Sequence, residues 1–192
     1  MIATSAAAAR ALLDGAIEET DPLMSWLASI ATRQTWTVML ALQRPMRADT
    51  FGVLADPAEA TTVSACAVPA GRWRTPPGTQ DVVLAWPTPH AVDRLAALPA
   101  AEIVAAMMPE IERLVPETRG AVERARVFRF DEGTPLAPPG FIAHRARGRQ
   151  LADSLTLPVS LAGDYLTMPL VEGAVASGED AAERIVRHLA RV

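Results

Sequence analysis

The segment from Leu161 to Ala182, LAGDYLTMPLVEGAVASGEDAA, is where residue types and spacing best suit the holding of a charged ligand. An apolar strand over Leu157–Ala162 runs into Gly163-Asp164, and strand ends are the usual place for ligand contacts in open α/β sheets. A carboxylate at Asp164 accepts hydrogen bonds from sugar-like hydroxyls. Pro169 then introduces a helix predicted from about Leu170 to Ala190, and Pro favours a helix start. The first amides of a helix lack internal partners and lie at the positive end of its dipole, so they suit an anion or a charge-bearing ring. Val171, Ala174, Gly178, Ala182, Ile185 and Leu189 fall on one face at three- and four-residue steps. Gly173 and Gly178 each cost roughly 1 kcal/mol in a helix interior, which close approach to a sheet or a ligand explains. Spacing alone leaves the alternative open that this is ordinary strand–loop–helix packing.

Other reactive groups are scattered. His90, His144 and His188 show no acid–base partner: His90 is expected to cap a helix, and the other two to be solvated. With Cys66 the only cysteine, no metal-ligand set is present in the sequence. Arg145, Arg147 and Arg149 read as a solvated face or, less simply, as a contact for an acidic substrate. Trp26, Trp36, Trp73 and Trp86 are core or pocket residues, and Cys66 is expected to be buried and inert. No catalytic residue can be assigned.

The elements that must position these groups are mixed α and β. Met1–Thr4 reads as a strand, which at the start of a sequence is an edge or pairs with strands supplied from elsewhere. Ser5 caps a helix over Ala6–Leu13, and Asp21 with Pro22 opens one over 21–31. Thr35–Leu42, Thr50–Leu54, Thr61–Val68 and Asp81–Trp86 are β-branched or apolar runs set off by Pro and Gly, hence a mostly antiparallel sheet. Helical spacing takes over at Ala91–Leu98 and Ala101–Leu114, the second kinked or divided at Pro109. Ala121–Phe130 returns to strand, Asp131–Gly140 with its three prolines reads as a loop, and 141–152 as a basic helix.

The segment quoted first resembles the C-terminal signature of the flavin amine-oxidase superfamily, which includes monoamine oxidases, protoporphyrinogen oxidases and phytoene-desaturase-like enzymes. The family pattern is an apolar strand, Gly-Asp or Gly-Glu, a variable loop, then Glu-Gly-Ala-x-x-Ser-Gly and paired alanines. It stands here as Gly163-Asp164, Glu172-Gly173-Ala174-Val175-Ala176-Ser177-Gly178 and Ala181-Ala182. The resemblance implies FAD as cofactor. It implies that Gly163, Asp164, Leu170, Val171, Gly173 and Ala174 lie against it. Asp164 would take the ribityl or pyrophosphate part, and the Leu170 and Val171 amides the pyrimidine edge. More loosely, MIATSAAAARALL, TWTVMLALQRPM, the Trp73 region and VFRFDEGTPLAPPG resemble upstream segments of protoporphyrinogen-oxidase-like members. The implied fold is the C-terminal part of a two-domain FAD-binding fold of mixed α/β class. Residues 1–20 return to the FAD domain, 21–152 form the substrate domain, and 153–192 give the final FAD-binding strand and helix.

The family's GxGxxG fingerprint is absent from the sequence. The expectation is therefore an oxidoreductase half, active with a second polypeptide that carries the Rossmann half, transferring hydride from an apolar small molecule to flavin. Leu170 stands near where amine oxidases usually carry an aromatic residue, which argues against an aromatic amine cage in this half and for an apolar substrate; an amine oxidase proper is the second alternative. A non-catalytic interaction subunit and a self-sufficient α+β domain are others. The 192 residues are half hydrophobic and carry a formal charge of −4. That supports a sizeable core, and disfavours a nucleic-acid partner. No stretch approaches the ~20 apolar residues of a membrane span, and one lone cysteine suits a cytoplasmic location.

Overall fold

The computed structural model describes residues 1–46, 50–69 and 80–190, so the expectation for Trp73 lies outside the described residues. From the N-terminus the elements are β1 (Ile2–Ala3), α1 (Ala6–Leu13), α2 (Pro22–Ala28), β2 (Thr32–Leu42), β3 (Gly52–Leu54) and β4 (Val63–Ala67). Then follow β5 (Val82–Pro87), α3 (Pro89–Leu95), α4 (Ala100–Leu114), β6 (Val122–Pro135), α5 (Phe141–Asp153), β7 (Leu161–Ala162) and α6 (Val171–Leu189). They cluster into two compact units: Gln34–Gly133, and Met1–Arg33 with Thr134–Val192.

The middle unit is a five-stranded sheet in the order β3-β4-β5-β2-β6. β3–β4, β4–β5 and β5–β2 are antiparallel, with Val38 opposite Ala85 and Leu40 opposite Val83. β2 shows why it is a strand: Trp36, Val38, Leu40 and Leu42 alternate into the core. Ala91, Val92 and Leu95 of α3, and Ile103, Met107 and Ile111 of α4, meet them in one core. Met107 also receives the Trp36 indole N–H at 3.3 Å. Met39, Leu84 and Trp86 alternate with core residues on these strands and stay half-buried, Met39 being opposite Leu84.

Glu110 is a buried charge of this unit, and it is fully used. Its Oε2 accepts from the Thr62 amide (2.6 Å), the Thr62 hydroxyl (2.7 Å), the Val63 amide (2.9 Å) and the Thr61 hydroxyl (3.1 Å). Its Oε1 accepts from the Thr61 amide at 3.1 Å and lies 3.5 Å from Arg113. The carboxylate thus supplies acceptors to backbone donors at the start of β4, joining α4 to the sheet.

The unit holding the chain ends is built on a two-stranded parallel pairing, Ile2 with Leu161 and Ala3 with Ala162. Ser5 caps α1 by accepting from the Ala8 amide at 3.3 Å, and Asp21 caps α2 through the Leu23 amide at 2.7 Å. Leu13, Leu23, Trp26, Leu27, Leu161, Tyr165 and Leu166 form its core. α5 closes on Trp26 at Gly148, where a Cβ would lie 1.9 Å from the indole ring.

Several expectations are corrected. Asp131–Gly140 is not all loop: β6 continues to Pro135, tolerable because β6 is an edge strand, where a missing N–H breaks no ladder on the open side. Pro109 does not divide α4, since both Pro109 and Ala105 are exposed and water can serve the carbonyl left unpaired. Of Leu157–Ala162 only the last two residues are strand. Thr88, not His90, caps α3, its hydroxyl accepting from the Ala91 amide at 3.0 Å. His144 is half-buried rather than solvated, packed on Trp26 with ring centroids 5.7 Å apart. Trp26, Trp36 and Cys66 are buried as expected. Burial, reinforced by the Glu110 charge, pushes the Cys66 thiol up to about 12.

Burial by itself raises the Glu110 pKa, but the hydrogen bonds from Thr62, Val63 and Thr61 outweigh it and hold the group at about 2, against an ordinary 4.5. A depressed acid stabilises the fold above its ordinary pKa, and that contribution fades as pH falls through the folded value. Denaturant titrations should therefore show this chain losing about 3 kcal/mol between pH 4.5 and 2. Glu110→Gln should be less stable at neutral pH and nearly flat across that window; an unchanged acid limb would rule the clamp out.

Candidate functional site

The candidate site grows from β7. After Ala162 the chain makes a short 3-10 turn over Asp164–Leu166, then enters α6. The Gly163 amide donates to the Ser177 hydroxyl at 3.0 Å, which ties the strand end to the helix. Thr167 does the same from the loop, its hydroxyl donating to the Gly173 carbonyl at 2.5 Å. Ser177 belongs to the family pattern and Thr167 does not, and the sequence shows a role for neither, because a hydroxyl in a helix or loop gives no sign of its partner until the chain has folded.

Two of the motif's three glycines, Gly163 and Gly173, serve packing. A Cβ on Gly163 would fall 2.2 Å from the Tyr165 ring, and one on Gly173 would fall 2.0 Å from the Met168 carbonyl oxygen. Gly178 meets nothing within 4 Å. The inward face of α6 is Gly173, Ser177 and Ala181. This corrects the expected face: Val171 is 83% and Leu189 67% exposed, with Ala174 and Ala182 exposed too, because close approach to β7 selects the small residues.

Asp164 is half-buried beside Tyr165. Burial raises its pKa, opposed by the backbone amides of Tyr165 and of Asp164 itself. Tyr165 is fully buried, its hydroxyl has no partner among the described residues, and burial together with the Asp164 charge raises its pKa. α6 starts without a side-chain cap at Leu170. The Leu170 amide is taken by the Met168 carbonyl at 2.7 Å, so the unpaired donors begin at Val171. Met168, Leu170 and Val171 surround this helix start as exposed apolar side chains. Gly163, Asp164, Leu170, Val171, Gly173 and Ala174 are thus one contiguous strand-end, turn and helix start. Leu170, Val171 and Ala174 are exposed and Asp164 is half-buried, while Gly173 is buried. Arg149 pairs with Asp180 at 2.7 Å, and Arg147 is exposed. Among the described residues no group of three or more potential metal ligands occurs, and no helix is long and apolar enough to cross a membrane.

Two solved structures share this fold. One, assigned as a protoporphyrinogen oxidase from Exiguobacterium sp. 255-15, superposes with a TM-score of 0.71 at 18% identity, over 95% of this chain and 39% of that one. The other is cyclohexylamine oxidase from Brevibacterium oxydans IH-35A, with a TM-score of 0.67 at 18% identity over 98% of this chain and 42% of its own. The mixed α/β architecture with its antiparallel five-stranded sheet is one these two oxidases share, and the chain spans about two fifths of the length of these relatives. The family model described as flavin containing amine oxidoreductase matches residues 21–186, and the chain belongs to that family. No curated protein matches it by sequence. Membership implies a flavin cofactor, FAD. The residues present fit one edge of it: an uncapped helix start whose free amides suit a polar ring edge, set among exposed apolar side chains.

The glycines make opposite predictions. Gly173→Ala should cost at least about 2 kcal/mol, since its Cβ meets backbone that cannot yield. Gly178→Ala should leave the isolated chain unchanged or up to about 1 kcal/mol more stable. Thermal melts of the two variants check this, and equal effects would refute the packing roles.

Proposed function

We propose that this chain is the C-terminal half of an FAD-dependent oxidoreductase that oxidises an apolar small molecule by hydride transfer to flavin, acting with a second polypeptide that carries the GxGxxG Rossmann half. The observation that carries the reading is the uncapped start of α6, joined to Asp164 by one short turn, in a chain of this family. Two further features support the partner. β7 is paired only with β1 among the described residues, and α6 exposes Val171, Val175, Val186 and Leu189. Exposed apolar stripes of this kind mark interaction surfaces. The half-buried apolar row of Met39, Leu84 and Trp86 supports an apolar substrate. A buried free thiol at Cys66 accords with a reducing compartment, the cytoplasm.

In this reading FAD supplies the two-electron acceptor. The chain's own part is positioning and electrostatics. Asp164 binds the hydroxyl-bearing portion of the cofactor, and the Val171 end of the helix stabilises negative charge on the ring edge. Exposed Met168 and Leu170 exclude water around it.

Co-expression with a GxGxxG-bearing polypeptide should give a yellow complex, and a stable complex that never takes up flavin would defeat the proposal. Asp164→Asn separates binding from folding. The fold raises this carboxyl's pKa, so its charge costs stability as pH rises, and the neutral variant should melt no lower than the parent at pH 7. The same variant should retain at most about a tenth of the flavin, for loss of charge-assisted hydrogen bonds worth about 1.5–3 kcal/mol.

A further inference from the structure

The five-stranded sheet has two edges, and they differ. At one, β3 is three residues long. At the other, β6 runs for 14 residues, longer than the 11 of the β2 it pairs with. An open edge is a row of unpaired amides and carbonyls, and proteins blunt it with short strands, lysine, proline or a covering loop. β6 carries no lysine, and no proline before Pro135 at its end. Among the described residues, no backbone group from Val122 to Glu132 is hydrogen-bonded outside the sheet.

The charges of β6 are ordered. Glu123, then Arg124, Arg126 and Arg129, then Asp131 and Glu132 leave the strand acidic at both ends and basic between. That order suits an antiparallel copy of itself. The two-fold axis of such a pair sets one residue opposite its own copy, and that residue defines the register. With Phe128 opposite Phe128, near the midpoint of the strand, Arg124 lies opposite Glu132 and Arg126 opposite Phe130, each of them twice. Opposite charges across a pair of strands attract, and a cation beside an aromatic face does too. Glu123 then meets Gly133, Ala125 meets Asp131 and Val127 meets Arg129, so no like charges face each other. Moving the axis to Arg126 or Arg129 sets two arginines opposite each other, and moving it to Val127 sets Glu123 opposite Asp131. Moving it to Phe130 leaves Glu123 and Arg124 beyond the end of the other strand. The groups concerned are accessible and unpaired. Glu132 is exposed and has no ion pair or hydrogen bond among the described residues. Arg124 is exposed and gives one bond to the neutral Gln80 side chain at 2.8 Å. Arg126 is exposed with its guanidinium 4.8 Å from the Phe128 ring centre, and Phe130 is 48% exposed.

We propose that two copies of this chain associate through the open edges of their β6 strands, antiparallel and centred on Phe128, so that two five-stranded sheets join into one. The contact belongs to the sheet unit and uses none of the β7 and α6 residues assigned to the Rossmann-bearing polypeptide. It stands whether or not that polypeptide exists.

The test is sedimentation equilibrium of the full chain over a micromolar concentration series, where the mass should rise from 20.4 kDa toward twice that value. Glu132→Lys sets a lysine opposite Arg124 at both symmetric positions and should weaken the dimer about tenfold, as should Arg124→Glu. The double variant restores both pairs with the signs exchanged and should dimerise as the parent does. Both positions are exposed, so melting curves should match the parent throughout. The register has its own check. Phe128→Cys should give a disulfide-linked dimer under mild oxidation and Phe130→Cys should not, since only position 128 faces its own copy. A chain that stays monomeric, a dimer indifferent to either charge reversal, or a double variant no better than the single ones would each overturn the proposal. So would a dimer that Val175→Glu dissolves while the β6 variants leave it intact, which would place the contact on α6.

Discussion

The pairing of Ile2–Ala3 with Leu161–Ala162 is the contact on which the terminal unit depends. Two residues on each side make too few hydrogen bonds to persist by themselves, and a lone two-stranded sheet is at best marginal. It persists because what flanks it is buried: Leu13 from α1, Leu161 itself, and Tyr165 and Leu166 from the turn beyond. Once β7 is held, the Gly163 amide reaches Ser177 and the Gly173 backbone closes on Met168, so the start of α6 has one position relative to the strand end. The free amides and Asp164 are then fixed on rigid elements, which is what a cofactor edge requires.

The two units treat their polar groups differently. In the sheet unit Glu110 is buried and every lone-pair direction it offers is used, so the charge stabilises the fold. In the terminal unit two buried hydroxyls, of Ser160 and Tyr165, have no partner among the described residues, and four large apolar side chains of α6 are exposed. Such residues do not stabilise the chain that carries them.

Local rules were readable directly. The alternation Trp36, Val38, Leu40, Leu42 declares a strand with one buried face, and Ser5 and Asp21-Pro22 declare helix starts. The Gly-Asp and Glu-Gly-Ala spacing located the strand end and helix start of the candidate site. Where reading failed, long-range packing had overridden a local preference. Pro109 is tolerated because its face of α4 is wet, and Pro135 because β6 is an edge. The apolar positions of α6 pointed to a face that is not the inward one, since closeness to β7 favours Gly173, Ser177 and Ala181 over larger side chains.

By itself the sequence determined the order and type of most elements and the mixed α/β class. These follow from periodicity, caps and spacing, which act over a few residues. Tertiary structure alone decided which of those residues face outward, that the Leu170 amide is occupied while the helix start at Val171 is open, and that Gly163 and Gly173 serve packing. It also decided that Glu110 holds Thr61, Thr62 and Val63, the chain leading into a distant strand. Each of these is a contact between groups far apart in the chain, and such contacts depend on distances that no local pattern encodes.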